Sequence, residues 1–325
     1  MSNLDDFFSE ALRASWVPGV TKVEVAKGGV DPWLATCDYT WVDATSTTVT
    51  LDISNSGESF ARAFASEISR FSCATYESLL DATAAPHSTS ALGWALIRYY
   101  YATFYAAHAL LRLAGTSLTM ITPKTAQTMN KVGGQYLTIS PNVTSALYTV
   151  QHDNATKRVV LTKIGGSNGG SHEEMWQRFL DLLRETENYL ILNYGQSKEA
   201  QAAVRELQAL GDNLCKSGKK NGAWLSTVRN NLNYRHDYGV WFPCTVMPKS
   251  ALTLANKMVE WKPTAKIANG TATSTELSIF IDSCNKTAKL LTSVLKEVSL
   301  RAPQPSKSFV SRQPFRLLRS RNVQL

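Results

Sequence analysis

The sequence is poor in cysteine, with five in 325 residues, at Cys37, Cys73, Cys215, Cys244 and Cys284. The gaps between them are far too wide for a CxxC knuckle or a disulfide scaffold, so the thiols read as reduced and structural. Histidine is equally scarce, and His87, His152 and His172 have no carboxylate or cysteine neighbours at metal-ligand spacing. Neither a metal nor a cofactor is expected. No uninterrupted apolar run approaches the roughly 20 residues that a membrane crossing takes. The segment 1–16 carries Asp5, Asp6 and Glu10 where a secretory leader would be positive and then apolar. These absences point to a soluble, cytoplasmic protein, in which the sequons at Asn142 and Asn154 go unglycosylated. Acidic residues are missing after Glu297, while Arg301, Lys307, Arg312, Arg316, Arg319 and Arg321 follow it.

The chain does have apolar residues enough for a core, at 44%, and a net charge of +8 that draws it toward polyanions at long range. Helical periods dominate. Residues 2–16 suit a short amphipathic helix, after which Pro18, Gly19, Gly28, Gly29 and Pro32 interrupt regular structure. Alternation over 47–53 predicts a strand, and Phe60, Phe64, Ile68 and Phe71 predict a helix over 58–80. The most apolar helix, 91–113, has Ser88, Thr89 and Ser90 as cap candidates. It repeats Trp94, Ile97, Tyr101, Phe104, His108 and Leu111 as a seam expected to be buried, with His108 a hydrogen-bonded core residue. From 116 to 170 the helical period is lost. Residues 148–150 and 159–161 around Asp153-Asn154 predict an inserted hairpin, closed by a flexible link at 165–170. Ser171 with Glu174 then forms a capping box, and further helices follow at 171–190, 196–215, 223–236, 249–261 and 275–298. The fold class is therefore mainly α, a helical bundle, with a small β-containing N-terminal region and the inserted hairpin. Three parts are expected: an accessory α/β region at 1–87, the bundle at 88–300 with its 116–170 insertion, and a basic tail at 301–325. The arginines and apolar residues of that tail suit a phosphate backbone, an anionic surface or a partner protein, or else a solvated, disordered end.

The helix at 223–236 can carry chemistry. At about 100° per residue, Trp224, Leu225, Val228 and Leu232 share one face, while Ser226, Arg229, Asn233 and His236 form a second stripe with Asn230 beside it. Arg229 and His236 are two turns apart, about 10 Å, so both side chains can reach one phosphodiester. Arginine presents a permanent fork of donors to phosphate oxygens, and histidine can transfer a proton near neutral pH. Together they can promote attack of a 2′-hydroxyl on its own phosphate without a metal.

The stretch Val228-Arg229-Asn230-Asn231-Leu232-Asn233-Tyr234-Arg235-His236 resembles the signature of HEPN domains, an arginine and a polar residue followed at short range by a histidine. The aromatic, alanine-rich helix Arg98-Tyr99-Tyr100-Tyr101-Ala102-Thr103-Phe104-Tyr105-Ala106-Ala107-His108 is similar to the family's other helix, and the order of the two agrees. The resemblance implies a HEPN-like bundle over about residues 88–298 that forms a homodimer, two facing copies of the Arg…His helix making one RNA-cleaving groove. It implies Arg229 as the phosphate contact, Asn230 as the polar second residue and His236 as the proton-transfer group. Asn233 is a further catalytic candidate, and Ser226, Arg235 and Arg98 are candidate substrate contacts. The expected function is a metal-independent endoribonuclease of toxin or antiviral-defence type, with an antitoxin or regulatory protein as a possible partner. Two other readings stand beside it, a non-catalytic HEPN-like module binding RNA, a nucleotide or a partner, and a scaffold whose basic tail binds a polyanion.

Overall fold

Where the apolar periods are longest, they become the longest helices. The computed structural model describes residues 3–25, 27–84, 92–138, 141–165, 171–235, 237–241, 249–262 and 275–324. It is mainly helical, with one five-stranded antiparallel sheet. Helices α3 (Gly57–Ala84) and α4 (Leu92–Leu113) pack lengthwise and antiparallel, with Glu67 against Arg112, Phe71 against Tyr105 and His108, and Asp81 facing Arg98. Around this pair stand α1 (Asn3–Arg13), α6 (Ser171–Tyr194), α7 (Lys198–Leu214), α8 (Trp224–Tyr234) and α10 (Glu276–Leu300), with the short α9 (Lys249–Lys257) on α10. The stripe of α10 that includes Leu277, Phe280, Cys284, Leu291 and Val298 is buried, as its spacing demands. No helix among the described residues is long and apolar enough to cross a membrane.

The seam expected on α4 is only partly buried. Ile97, His108 and Leu111 are in the core, Tyr101 and Phe104 lie at its edge, and Trp94 is 57% exposed. Trp94 points away from the buried Leu92, Ala95 and Leu96 beside it and rests edge-on against Trp241, with ring centroids 5.3 Å apart.

Strands β1 (Thr40–Ala44), β2 (Thr48–Asp52), β3 (Thr116–Met120), β4 (Leu147–Asp153) and β5 (Arg158–Lys163) pair in the order β1-β2-β5-β4-β3. Val49 lies opposite Leu161, Leu51 opposite Val159 and Val150 opposite Leu161, so these alternating residues share one buried face. The hairpin of β4 and β5 is thus flanked by β1 and β2, from residues before 87, on one side and by β3 on the other. One apolar cluster runs through both segments. The expected cap residues 88–90 and most of the glycine link lie outside the described residues.

Two helices arise where the sequence signalled only breaks or irregular structure. Pro32 lies in the first turn of α2 (Val30–Thr36) and Pro123 opens α5 (Pro123–Tyr136), positions where a missing N–H breaks no helical hydrogen bond. Thr122 caps α5 by accepting from the Thr125 amide at 3.3 Å. The basic tail is also folded. Helices α11 (Phe309–Arg312) and α12 (Pro314–Ser320) bury Phe309, Val310, Phe315 and Leu318 against α3 and α10, and Ser311 bonds to Ser299 of α10 at 2.8 Å. Arg316, Arg319 and Arg321 stay exposed, so the tail is an ordered cationic surface and not a solvated end.

An ion pair lies inside this framework. Arg112 of α4, 2% exposed, bonds through Nε to Glu67 of α3 and donates to Leu118 O of β3 at 3.2 Å and to His108 O at 3.1 Å. Glu67 also accepts from the Val30 amide at 3.0 Å, which ties in the start of α2. A Cβ at Gly29 would run into the Glu67 carboxylate, so only glycine lets the chain pass. Burial raises the Glu67 pKa, but the neighbouring Arg112 charge and the Val30 amide outweigh it and hold the carboxyl below its ordinary value.

Burial drives the His108 imidazole well below its usual pKa, with Arg112 adding to the effect, and burial lowers His152 and His172 as well. A histidine with a depressed folded-state pKa takes up more protons when unfolded, so its linkage makes stability rise with pH across that window. Urea unfolding from pH 7.5 to 5 is therefore expected to show stability falling once pH drops below about 6.5, the unfolded histidine value. The His108→Gln variant should show a shallower fall, and a flat wild-type profile would contradict the assignment.

Candidate functional site

Helix α8 positions its polar stripe through its apolar one. Trp224, Leu225, Val228 and Leu232 are buried, which leaves Arg229 partly exposed and Asn230 outward. Its C-terminal end is fixed by Trp241, whose indole N–H donates to Leu232 O at 2.7 Å. The Trp241 ring lies so near Gly93 of α4 that a Cβ there would come within 2.5 Å of it. Gly93 N–H donates to Val240 O at 3.2 Å in the same place. These contacts hold the C-terminal end of α8 against the start of α4.

Against α4, the Arg229 guanidinium lies 5.2 Å from the Tyr100 ring centroid and 5.7 Å from that of Tyr101. Rings of this kind hold a cation by their quadrupole and leave its edge open to an anion. Among the described residues, no carboxylate pairs with Arg229, and its buried Nε–H has no acceptor. One turn earlier, Ser226 is buried with its Oγ 2.7 Å from Tyr100 Oη. The indole N–H of Trp176 on α6 donates to Ser226 Oγ at 3.0 Å and to Tyr100 Oη at 3.2 Å. Tyr100 Oη in turn lies 2.8 Å from Nδ1 of His172.

Proton counting orders this chain. Ser226 Oγ already accepts from Trp176, and Tyr100 Oη is the acceptor in reach for its proton. Tyr100 then donates to His172 Nδ1, which leaves His172 neutral with its proton on Nε2. Burial lowers the His172 pKa and the Arg229 charge lowers it further, which keeps that neutral form at physiological pH. Burial raises the Tyr100 pKa against the opposing effects of Ser226, Trp176 and Arg229, so its hydroxyl stays protonated. His172 is held face-on by Phe104, with ring centroids 4.2 Å apart.

The expected site residues are thus distributed unequally. Ser226 and Arg229 meet at Tyr100, but the Ser226 hydroxyl is consumed inside the network and positions Tyr100 rather than meeting solvent. Asn230 and Arg235 are exposed, Asn233 is half-buried, and Arg235 ends the helix by donating its amide to Asn231 O. Arg98 is exposed and faces Asp81 of α3, 3.9 Å away. His236 lies outside the described residues. His108 is buried beside Arg112, 3.1 Å from Nδ1 to Nη1, and serves the core. The sequence reading missed His172 and Tyr100 as parts of this site. The sole clue to His172 was its place in the first turn of a helix that must pack on the aromatic one. No group of histidine, cysteine and carboxylate side chains that could hold a metal occurs among the described residues. The cleft of about 610 Å³ between the sheet and α6, lined by Gln151, Asp181 and Glu185 among others, contains none of the expected site residues. Comparison with protein-family models finds no match, and none is found among curated proteins or solved structures.

Proposed function

We propose that this chain is a metal-independent endoribonuclease in which Arg229 holds the phosphodiester that is cut. The observation that carries the reading is Arg229 itself, a cation seated on two tyrosine rings, partly exposed and without a carboxylate partner among the described residues. A guanidinium in that state is a ready phosphate ligand, and it cannot lose its charge at cellular pH. The net charge of +8 and the exposed arginines of α12 favour approach of a polyanion. Proton transfer is assigned to His236 by its place in the HEPN-like signature, and a homodimer presenting two such helices to one strand belongs to the same reading. A toxin or defence role, with a neutralising partner, follows from that resemblance.

Incubation of the protein with bulk RNA in excess chelator tests the proposal. Cleavage is expected to persist with chelator and to fall by about 10² to 10⁴ in His236→Ala, the range for loss of a general acid or base. Intact RNA at every enzyme concentration would remove the nuclease reading.

A further inference from the structure

We infer that His172 is a second ligand of the same phosphate, donating Nε2–H as a neutral imidazole beside Arg229; this rests on the reading of Arg229 given above. Both groups flank one pair of rings. Arg229 lies 5.2 and 5.7 Å from the centroids of Tyr100 and Tyr101, and the His172 ring lies 6.0 and 6.3 Å from the same two. The histidine is neither loose nor spent. Its Nδ1 is taken by Tyr100, its face by Phe104, and the remaining nitrogen has no hydrogen-bond partner among the described residues.

The backing network gives this donor its direction. Trp176 and Ser226 satisfy the Tyr100 oxygen, and Tyr100 spends its proton on Nδ1, which fixes the tautomer with hydrogen on Nε2. Hydrogen bonds made to the far side of an imidazole orient it and decide which nitrogen faces the ligand. The charged and titratable groups facing His172 are Arg229 on α8 and Tyr100, Tyr101 and His108 on α4. The Arg229 charge disfavours a positive ring, and the tyrosines and the neutral His108 leave it neutral. An anion bridging Arg229 and His172 thus meets one full charge and one neutral donor. The pair suits a phosphodiester, which carries a single negative charge, and the described residues around it supply no second cation.

Binding of an all-deoxy oligonucleotide, which offers phosphodiesters but no 2′-hydroxyl to attack, tests the assignment without depending on cleavage. By fluorescence anisotropy, His172→Leu should weaken binding about tenfold or more, the scale of a lost hydrogen bond to a charged group. His172→Gln keeps an N–H donor at the matching position and is expected to recover most of the loss. In wild-type protein the affinity should be flat between pH 7 and 8, above the lowered His172 pKa. In Tyr100→Phe the lost donor to Nδ1 lets the imidazole pKa rise, so affinity should increase toward pH 6. Wild-type affinity in His172→Leu, or equal losses in His172→Leu and His172→Gln, would overturn the inference and leave the Arg229 reading intact. Failure of the wild-type protein to bind the oligonucleotide would overturn both, whereas binding with no RNA cleavage would remove only the nuclease.

Discussion

Arg112→Leu is expected to destabilise the protein by about 3–5 kcal/mol, because it strands the Glu67 carboxylate in the core without its counter-charge. The size follows from the surroundings. Glu67 would keep the Val30 amide and, at 3.4 Å, the Ser117 hydroxyl, which are too few donors for a charge removed from water. Urea denaturation of the variant should show a lower midpoint with little change in slope. The double variant Arg112→Leu/Glu67→Leu should recover part of the loss, since a well-packed apolar pair replaces a buried ionic one at small cost. A single-variant loss under about 1 kcal/mol would show that water reaches the pair and that it does not hold α2, α3, α4 and β3 together.

That buried pair also shows what a sequence reading can and cannot reach. Glu67 and Arg112 sit on helices whose apolar periods were plain, yet nothing local says that two charges within those periods meet. Patterns that repeat within one element were legible, which is why α3, α4, α6, α10 and the strands β2, β4 and β5 came through. Strands β1 and β3 were missed because neither alternates: β1 buries only Trp41 and carries a bulge between Trp41 and Asp43, and β3 buries Ser117, Leu118 and Thr119 in a row. Helix α5 was missed because only Thr125, Ala126, Met129 and Gly133 are buried on it, too thin an apolar stripe to raise a helical period. The tail misled through its arginines. Charge dominated the reading, while Phe309, Val310, Phe315 and Leu318 found a groove between α3 and α10 that no local pattern reveals.

The candidate site divides the same way. Arg229 was legible because the buried and polar stripes of α8 alternate cleanly around the helix. Its platform was not, since Tyr100 and Tyr101 come from α4, and the histidine behind them comes from the start of α6. Trp94 was placed in the core by a spacing rule that holds only where neighbours cover a residue fully, and among the described residues its edge-on contact with Trp241 leaves it 57% exposed. Tertiary contact decides such positions, and periodicity sees only one side of it.

The central claim is that the Arg229 guanidinium holds the reacting phosphate. The most direct measurement is the single-turnover cleavage rate of a defined RNA in chelator for wild type, Arg229→Lys and Arg229→Ala, with circular dichroism to establish that each is folded. The account predicts a loss of about 10² to 10³ in Arg229→Ala, the scale for removing one donor aimed at a developing oxyanion. Arg229→Lys should also stay well below wild type, because an ammonium cannot reproduce the forked contact or the seat on two tyrosine rings. A folded Arg229→Ala protein that cuts RNA at the wild-type rate would contradict the account.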